Sequence, residues 1–153
     1  MTRRRTGSES GYNNRLVTTP ERSALLGRVR QERTAPEIVV QEILTVLGHQ
    51  YSTNVRGLPG SPDIVVADRS CAIFVHGCFW HRHSRCPASS TPTQNAEFWE
   101  EKFAANVRRD RRKARELRKL GFRVMVIWEC QTKSADKRAR LQRRLDRYFR
   151  ETS

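Results

Sequence analysis

Residues 71–86 read CAIFVHGCFWHRHSRC, and no other stretch limits the fold and chemistry of the chain as tightly. The run opens on Ala72-Ile73-Phe74-Val75, an apolar segment short enough for a buried strand. It then delivers His76, Cys78, His81, His83 and Cys86 within eleven positions. Three of the four histidines and three of the four cysteines of the chain sit here, a density that building a hydrophobic core does not need. Thiolates beside imidazoles are the donors a tetrahedral zinc ion takes. There are more imidazoles than one structural zinc can use, and the surplus is the first sign of catalysis.

A chain of 153 residues fits one domain with a real core. Thirty Lys and Arg against 16 Asp and Glu leave a net charge of +14. That balance points to a polyanion. Nucleic acid is favoured over an acidic membrane surface or charge kept for solubility, because arginine dominates and matches phosphate bidentately. No apolar run approaches the ~20 residues of a membrane span, and the N-terminus lacks the apolar stretch of a secretory signal. The expectation is an intracellular, cytoplasmic protein. Thiols there stay reduced, and four cysteines point to metal or catalysis rather than disulfides.

Taken in order, residues 1–19 are polar and aperiodic and read as a disordered basic arm, with a domain from 20 to 153. Residues 20–33 suit a short helix whose Leu25, Leu26 and Val29 are ringed by arginine. Thr34-Ala35-Pro36-Glu37 is a capping box that opens a helix ended by Gly48. Glu37 thus has a local task, though it could also face a site. A strand is predicted over 51–56 and a rigid Gly/Pro turn over 57–62. Asp63 then opens a buried strand at 64–67, antiparallel to the strand that His76 closes. Asp63 reads either as a turn residue or as a metal ligand at the mouth of two strands.

A helix is predicted from 97 to 120, stopped by Gly121, with the apolar stripe Trp99, Phe103, Val107, Ala114, Leu117, Leu120. Asp110 falls on that inward stripe, where an unpaired charge is costly and an imidazole is the natural partner. Arg108, Arg109, Arg111, Arg112, Lys113, Arg115, Arg118 and Lys119 are read on the opposite face, facing a phosphate backbone or simply solvent. A strand buried on both faces at 122–128 completes a parallel crossover. An amphipathic basic helix at 134–149 comes next, with Leu141, Leu145, Tyr148 and Phe149 inward.

Cys78, His83 and Cys86 come from one loop and Cys130 from a distant strand end. Together they are candidates for a four-ligand structural zinc site, the alternative being free, buried cysteines, while Cys71 reads as a small core residue. His76 and His81 remain. With Asp63 and a buried Asp110 they suit metal-assisted phosphodiester hydrolysis. Asp63 would hold Mg²⁺, one histidine would move a proton, and Asp110 would orient it. Composition alone does not separate this from a zinc protein that only binds DNA.

Pro62-Asp63, the run 72–83, Glu97-Phe98-Trp99, Asn106 to Asp110 and Trp128-Glu129-Cys130 resemble the very short patch repair (Vsr) endonucleases. The resemblance spans about residue 20 to the C-terminal helix. It implies a restriction-endonuclease-like α/β fold of the PD-(D/E)XK type, a mixed central sheet flanked by helices with a structural zinc. It implies a Mg²⁺-dependent nick on the 5′ side of the thymine in a T·G mismatch, the product of 5-methylcytosine deamination. By the match, Asp63 and the main-chain carbonyl of Val75 would hold Mg²⁺, with Glu37 in its outer hydration shell. His81, paired to Asp110, would be the base or acid, and His76 would contact the reacting phosphate. Cys78, His83, Cys86 and Cys130 would hold zinc. Phe79, Trp80 and a partly exposed Trp99 would wedge the duplex open, with Leu26 and Val29 entering from the other side.

Implied partners are double-stranded DNA with a T·G mismatch, mismatch-repair proteins and a repair polymerase, with no membrane, and the enzyme is expected to be a monomer. Two other readings stay open. One is a restriction or defence nuclease on matched DNA, the other a zinc-stapled DNA-binding module without catalysis.

Overall fold

A computed structural model describes residues 34–152, which fall within the second of two compact units, Glu32–Ser153. The expected arm at 1–19 and the helix at 20–33, with Leu26 and Val29, lie outside the described residues.

Helix α1 (Ala35–Val46) starts as its sequence dictates. Thr34 is extended at φ −65°, ψ 161°, and its hydroxyl accepts the Glu37 N–H at 3.4 Å. Proline stands in the first turn, where its missing N–H is harmless. The helix stops before Gly48, whose φ of +81° suits a residue without a side chain. Strand β1 is only Ser52–Thr53, shorter than the predicted 51–56. Asn54 turns to φ 49° and ends the strand. Hydrogen bonds from Asn54 N to Asp63 O (2.9 Å) and from Val55 N to Pro62 O (3.1 Å) then close the Gly/Pro turn.

Strand β2 (Ile64–Val66) pairs antiparallel with β1 and with β3 (Cys71–His76), as expected. A short 3-10 turn, Ala67–Arg69, with Ser70 at φ 47°, makes the connection. Helix α2 (Ala96–Lys119) crosses over to β4 (Arg123–Trp128), which lies parallel to β3 from Cys71↔Arg123 through His76↔Trp128. Helix α3 (Ala135–Glu151) closes the chain with Ser134 as its N-cap. The result is a mixed α/β fold, a four-stranded sheet ordered β1-β2-β3-β4 with three helices among the described residues.

Alternation along the strands divides the core in two. Ile64, Val66, Cys71, Ile73, Met125 and Ile127 pack with Val40, Ile43 and Leu44 of α1 and Leu141, Leu145 and Phe149 of α3. Ala72 and Phe74 face the other way and meet Leu117 of α2, with Val124 and Val126 alongside. Two expectations change. Strand β4 is an edge strand, so Met125 and Ile127 are buried while Val124 and Val126 are only half-buried. Leu120 lies just past the end of α2, leaves the stripe and is 60% exposed.

Each fully buried Ile or Leu contributes roughly 1.5–3 kcal/mol through removal from water. Ile73 is fully buried at the centre of the larger cluster. Ile73→Ala should cost about 2–5 kcal/mol in equilibrium urea unfolding. A loss under 1 kcal/mol would contradict this packing.

Candidate active site

The strand register builds the site. His76 and Trp128 are paired across the parallel strands. Two residues further on, Cys78 and Cys130 emerge side by side. The loop after β3 brings back His83, whose Nδ1 lies 3.5 Å from Cys78 Sγ and 3.4 Å from Cys130 Sγ. Ligand atoms of Cys78, His83, Cys86 and Cys130 all lie within 4.8 Å of one another. A tetrahedral zinc ion spaces its S and N ligands about 3.5–4 Å apart, so the expected set fits.

The protein braces this cluster closely. The Cys78 N–H donates to Glu129 Oε1 at 3.0 Å, Ser89 Oγ donates to Cys78 O at 2.6 Å, and the Trp128 ring stacks on His83 at 4.3 Å. Arg82 and Arg85 at φ 56° and 59° let the loop double back. Burial and the adjoining Cys130 and Cys86 thiols push the Cys78 thiol up to about 12. The crowding would be relieved by a cation. Cys71 lies apart as a core residue, its thiol also raised by burial, to about 11.

The second cluster sits on the α2 side of the sheet, which β-strand alternation gives to His76 along with Ala72 and Phe74. His76 and His81 stack at 3.9 Å with an interplanar angle of 8°. His81 Nδ1 lies 2.7 Å from Asp110 Oδ2, the imidazole partner expected for that inward carboxylate. Ligand atoms of His76, His81 and Asp110 lie within 4.8 Å of one another. Burial pulls His76 down to about 4, and the neighbouring His81 adds to the effect. His76 is therefore neutral near pH 7. Burial alone would raise Asp110, but the hydrogen bond and charge of His81 outweigh it and leave the pKa below the usual value.

Asp63 stands immediately before β2, and its Oδ2 accepts the N–H of Val75 at 2.7 Å. It therefore sits where β3 ends, within the electrostatic reach of His81. Burial lifts its pKa to about 6 against the pull of the Val75 hydrogen bond, and the charge of Glu37 raises it further. Glu37 is only 3% exposed. Two carboxylates withdrawn from water and repelling each other suit a hard divalent cation with oxygen ligands.

The aromatic expectations divide. Phe79 and Trp80 are half-buried at the loop tip. Trp99, expected as a partly exposed wedge, is only 7% exposed, packed against Phe79, Trp80 and Phe103 with ring centroids 5.7–5.8 Å away. Its place on the inward stripe of α2 accounts for that burial.

Four residues with work at the site escaped sequence reading. Asn106 Nδ2 donates to Trp80 O at 3.1 Å and ties the loop to α2. Arg82 lies over the Phe103 ring at 4.0 Å. Trp128 stands between His83 and His76, 5.5 Å from the latter. Lys113 is half-buried rather than on the outer face, its stem lying against Gly60. A stripe spaced by alternating fours and threes (Trp99, Phe103, Asn106, Asp110, Lys113, Leu117) would have identified two of them.

Burying Asp63 has a stability consequence. A free aspartate ionises near 3.8, and this one at about 6. Between those values the folded chain keeps a proton that the unfolded chain has lost. The stability contributed by this group is therefore full below pH 3.8 and is lost as pH rises through about 6. Asp63→Asn, which can still accept the Val75 N–H, should stabilise the Mg²⁺-free protein at pH 7.5 by roughly 1–3 kcal/mol. The gap should close toward pH 4. Equal melting temperatures at pH 7.5 would refute the strain.

Residues 15–87 match the family described as DNA mismatch endonuclease Vsr. The chain is 38% identical over 136 residues to the type II nicking enzyme V.NmeAIP of Neisseria meningitidis, covering 89% of this chain and 94% of that protein. It is 40% identical over 114 residues to the type II nicking enzyme V.XorIIP of Xanthomonas oryzae, covering 74% and 83%. It is 40% identical over 116 residues to the DNA mismatch endonuclease Vsr of Escherichia coli, covering 76% and 74%. The chain belongs to the Vsr family and is a DNA nicking endonuclease, a hydrolase of phosphodiester bonds.

Proposed function

We propose that the enzyme nicks DNA on the 5′ side of the thymine in a T·G mismatch left by deamination of 5-methylcytosine, on a restriction-endonuclease-like fold. The observation that carries this reading is the Asp110–His81–His76 stack beside the end of β3, where Asp63 also lies. The resemblance and the family membership supply the substrate.

Asp110, ionised and bonded at 2.7 Å, holds a proton on His81 Nδ1 and leaves Nε2 to face the reaction. Through that atom His81 takes a proton from the attacking water or returns one to the leaving oxygen. His76 stays neutral and offers a hydrogen bond to the scissile phosphate without adding charge to the stack. Bound at Asp63 and the Val75 carbonyl, with Glu37 in its outer hydration shell, Mg²⁺ would offset the charge that builds on the phosphate. Zinc at Cys78, His83, Cys86 and Cys130 would keep the loop in register with β4. The half-exposed Phe79 and Trp80, backed by Trp99, fit a wedge at a poorly stacked wobble pair, where opening costs less than at a matched step. The seven exposed cations of α2 from Arg108 to Lys119 suit the DNA backbone.

In this reading the enzyme acts as a monomer in the bacterial cytoplasm and hands its nick to repair proteins and a polymerase. Among the described residues, no helix is long and apolar enough to cross a membrane. A second reading, cleavage of matched DNA in a restriction setting, draws on the relatives named type II nicking enzymes.

A panel of matched, T·G and other mismatched duplexes with Mg²⁺ separates the two. The proposal expects one nick, in the T strand of T·G only. Asp63→Ala should lower it at least about 10³-fold while gel-shift affinity for DNA survives. Nicking by Asp63→Ala at the wild-type rate would sink the catalytic assignment. For the zinc, Cys130→Ser should lose about one metal equivalent by elemental analysis and several kcal/mol of stability. Full metal content in that variant would overturn the ligand set.

A further inference from the structure

The cations of α2 are not alike. Arg108, Arg109, Arg111, Arg112, Arg115, Arg118 and Lys119 are exposed, and Lys113 is half-buried. Lys113 comes three residues after Asp110 and so stands one helical turn along the same face. Its aliphatic stem crosses the turn that leads to Asp63. A Cβ built on Gly60 would lie 2.6 Å from Lys113 Cδ and 2.9 Å from its Cβ and Cγ. Gly60 is therefore kept free of a side chain by both its φ of +75° and the lysine above it. The stem is packed between the helix that carries Asp110 and the turn that carries Asp63. Among the described residues its ammonium forms no hydrogen bond or ion pair. It nonetheless lies close enough to Asp63, Asp110 and His76 for its charge to act on all three.

We propose that Lys113 supplies its ammonium to the phosphate pocket between Asp63 and the His76–His81 stack, where it holds a nonbridging oxygen of the scissile phosphate. Several features favour that role over general attraction to DNA. An ammonium needed only for the duplex backbone gains nothing from half-burial on a glycine, and seven exposed neighbours already serve that purpose. A lysine anchored along its stem gives up rotamer entropy before substrate arrives. A fixed cation aimed at a nonbridging oxygen acts where charge accumulates in the transition state. This inference rests on the catalytic reading above.

The test is single-turnover nicking by Lys113→Met, which keeps the stem on Gly60, and by Lys113→Arg, which keeps the charge. Arg143→Met, on the exposed face of α3, serves as a control. Substrates carry Rp or Sp phosphorothioate at the scissile position. Lys113→Met should fold normally by circular dichroism, bind DNA within about threefold of wild type, and nick about 10²-fold more slowly. Its Rp/Sp rate ratio should differ from that of wild type. Lys113→Arg should recover most of the rate, and Arg143→Met should leave the rate and the Rp/Sp ratio unchanged.

A Lys113→Met rate within threefold of wild type would overturn the proposal. So would a slow variant with an unchanged Rp/Sp ratio, because lysine would then serve only as a countercharge. Nicking of matched DNA by the wild type would defeat the mismatch reading and not this one, since the same ratios can be measured on the matched substrate.

Discussion

The parallel pairing of β3 with β4 is the constraint on which the rest depends. The His76↔Trp128 step decides which side chains meet two residues beyond each strand, and there Cys78 lies beside Cys130. The antiparallel pairing of β2 with β3 brings Asp63 to the same rim, fastened to the Val75 N–H. A one-residue slip in either ladder would turn His76 to the wrong face and part the thiols. The buried residues of the larger core therefore do more than stabilise the fold. By locking the ladders they hold two sets of donor atoms within ligand distance of each other.

Several polar groups of the two clusters sit where burial disfavours their charged forms. Ordinary surface charges lie on the outer faces of α2 and α3, where solvent screens them. Glu37 and His76 are instead buried and Asp63 half-buried, and burial is the leading cause of the shifts at Asp63 and His76. The dense thiols around His83 obey the same logic. Sites that disfavour their own charged forms are prepared for a partner of opposite sign.

Much of this was legible in the residue order. The apolar run ahead of His76 marked β3, and the Thr34 cap and Gly48 stop marked α1. The spacing of Cys78, His83 and Cys86 marked the metal loop, because local patterns leave local signatures. Asp110 was found through its conflict with an apolar stripe. Lys113 escaped for the opposite reason, since a lysine among arginines offers no contrast. The tie from Asn106 to Trp80 spans 26 positions and leaves no pattern in either stretch. Trp99 has a side chain suited both to core and to wedge, and only the surrounding Phe79, Trp80 and Phe103 decide its burial. Strand β1 reads too long in the sequence because alternation continues past the point where Asn54 turns over.

Trp128 is a partition wall shared by two chambers. One side of the indole lies flat on His83 of the thiol cluster, and the ring meets His76 of the imidazole stack at a steep angle. Neither chamber can be remodelled alone while that wall stands between them. Replacing the indole with a smaller ring would free both imidazoles at once, so damage at this position has no purely architectural or purely chemical reading.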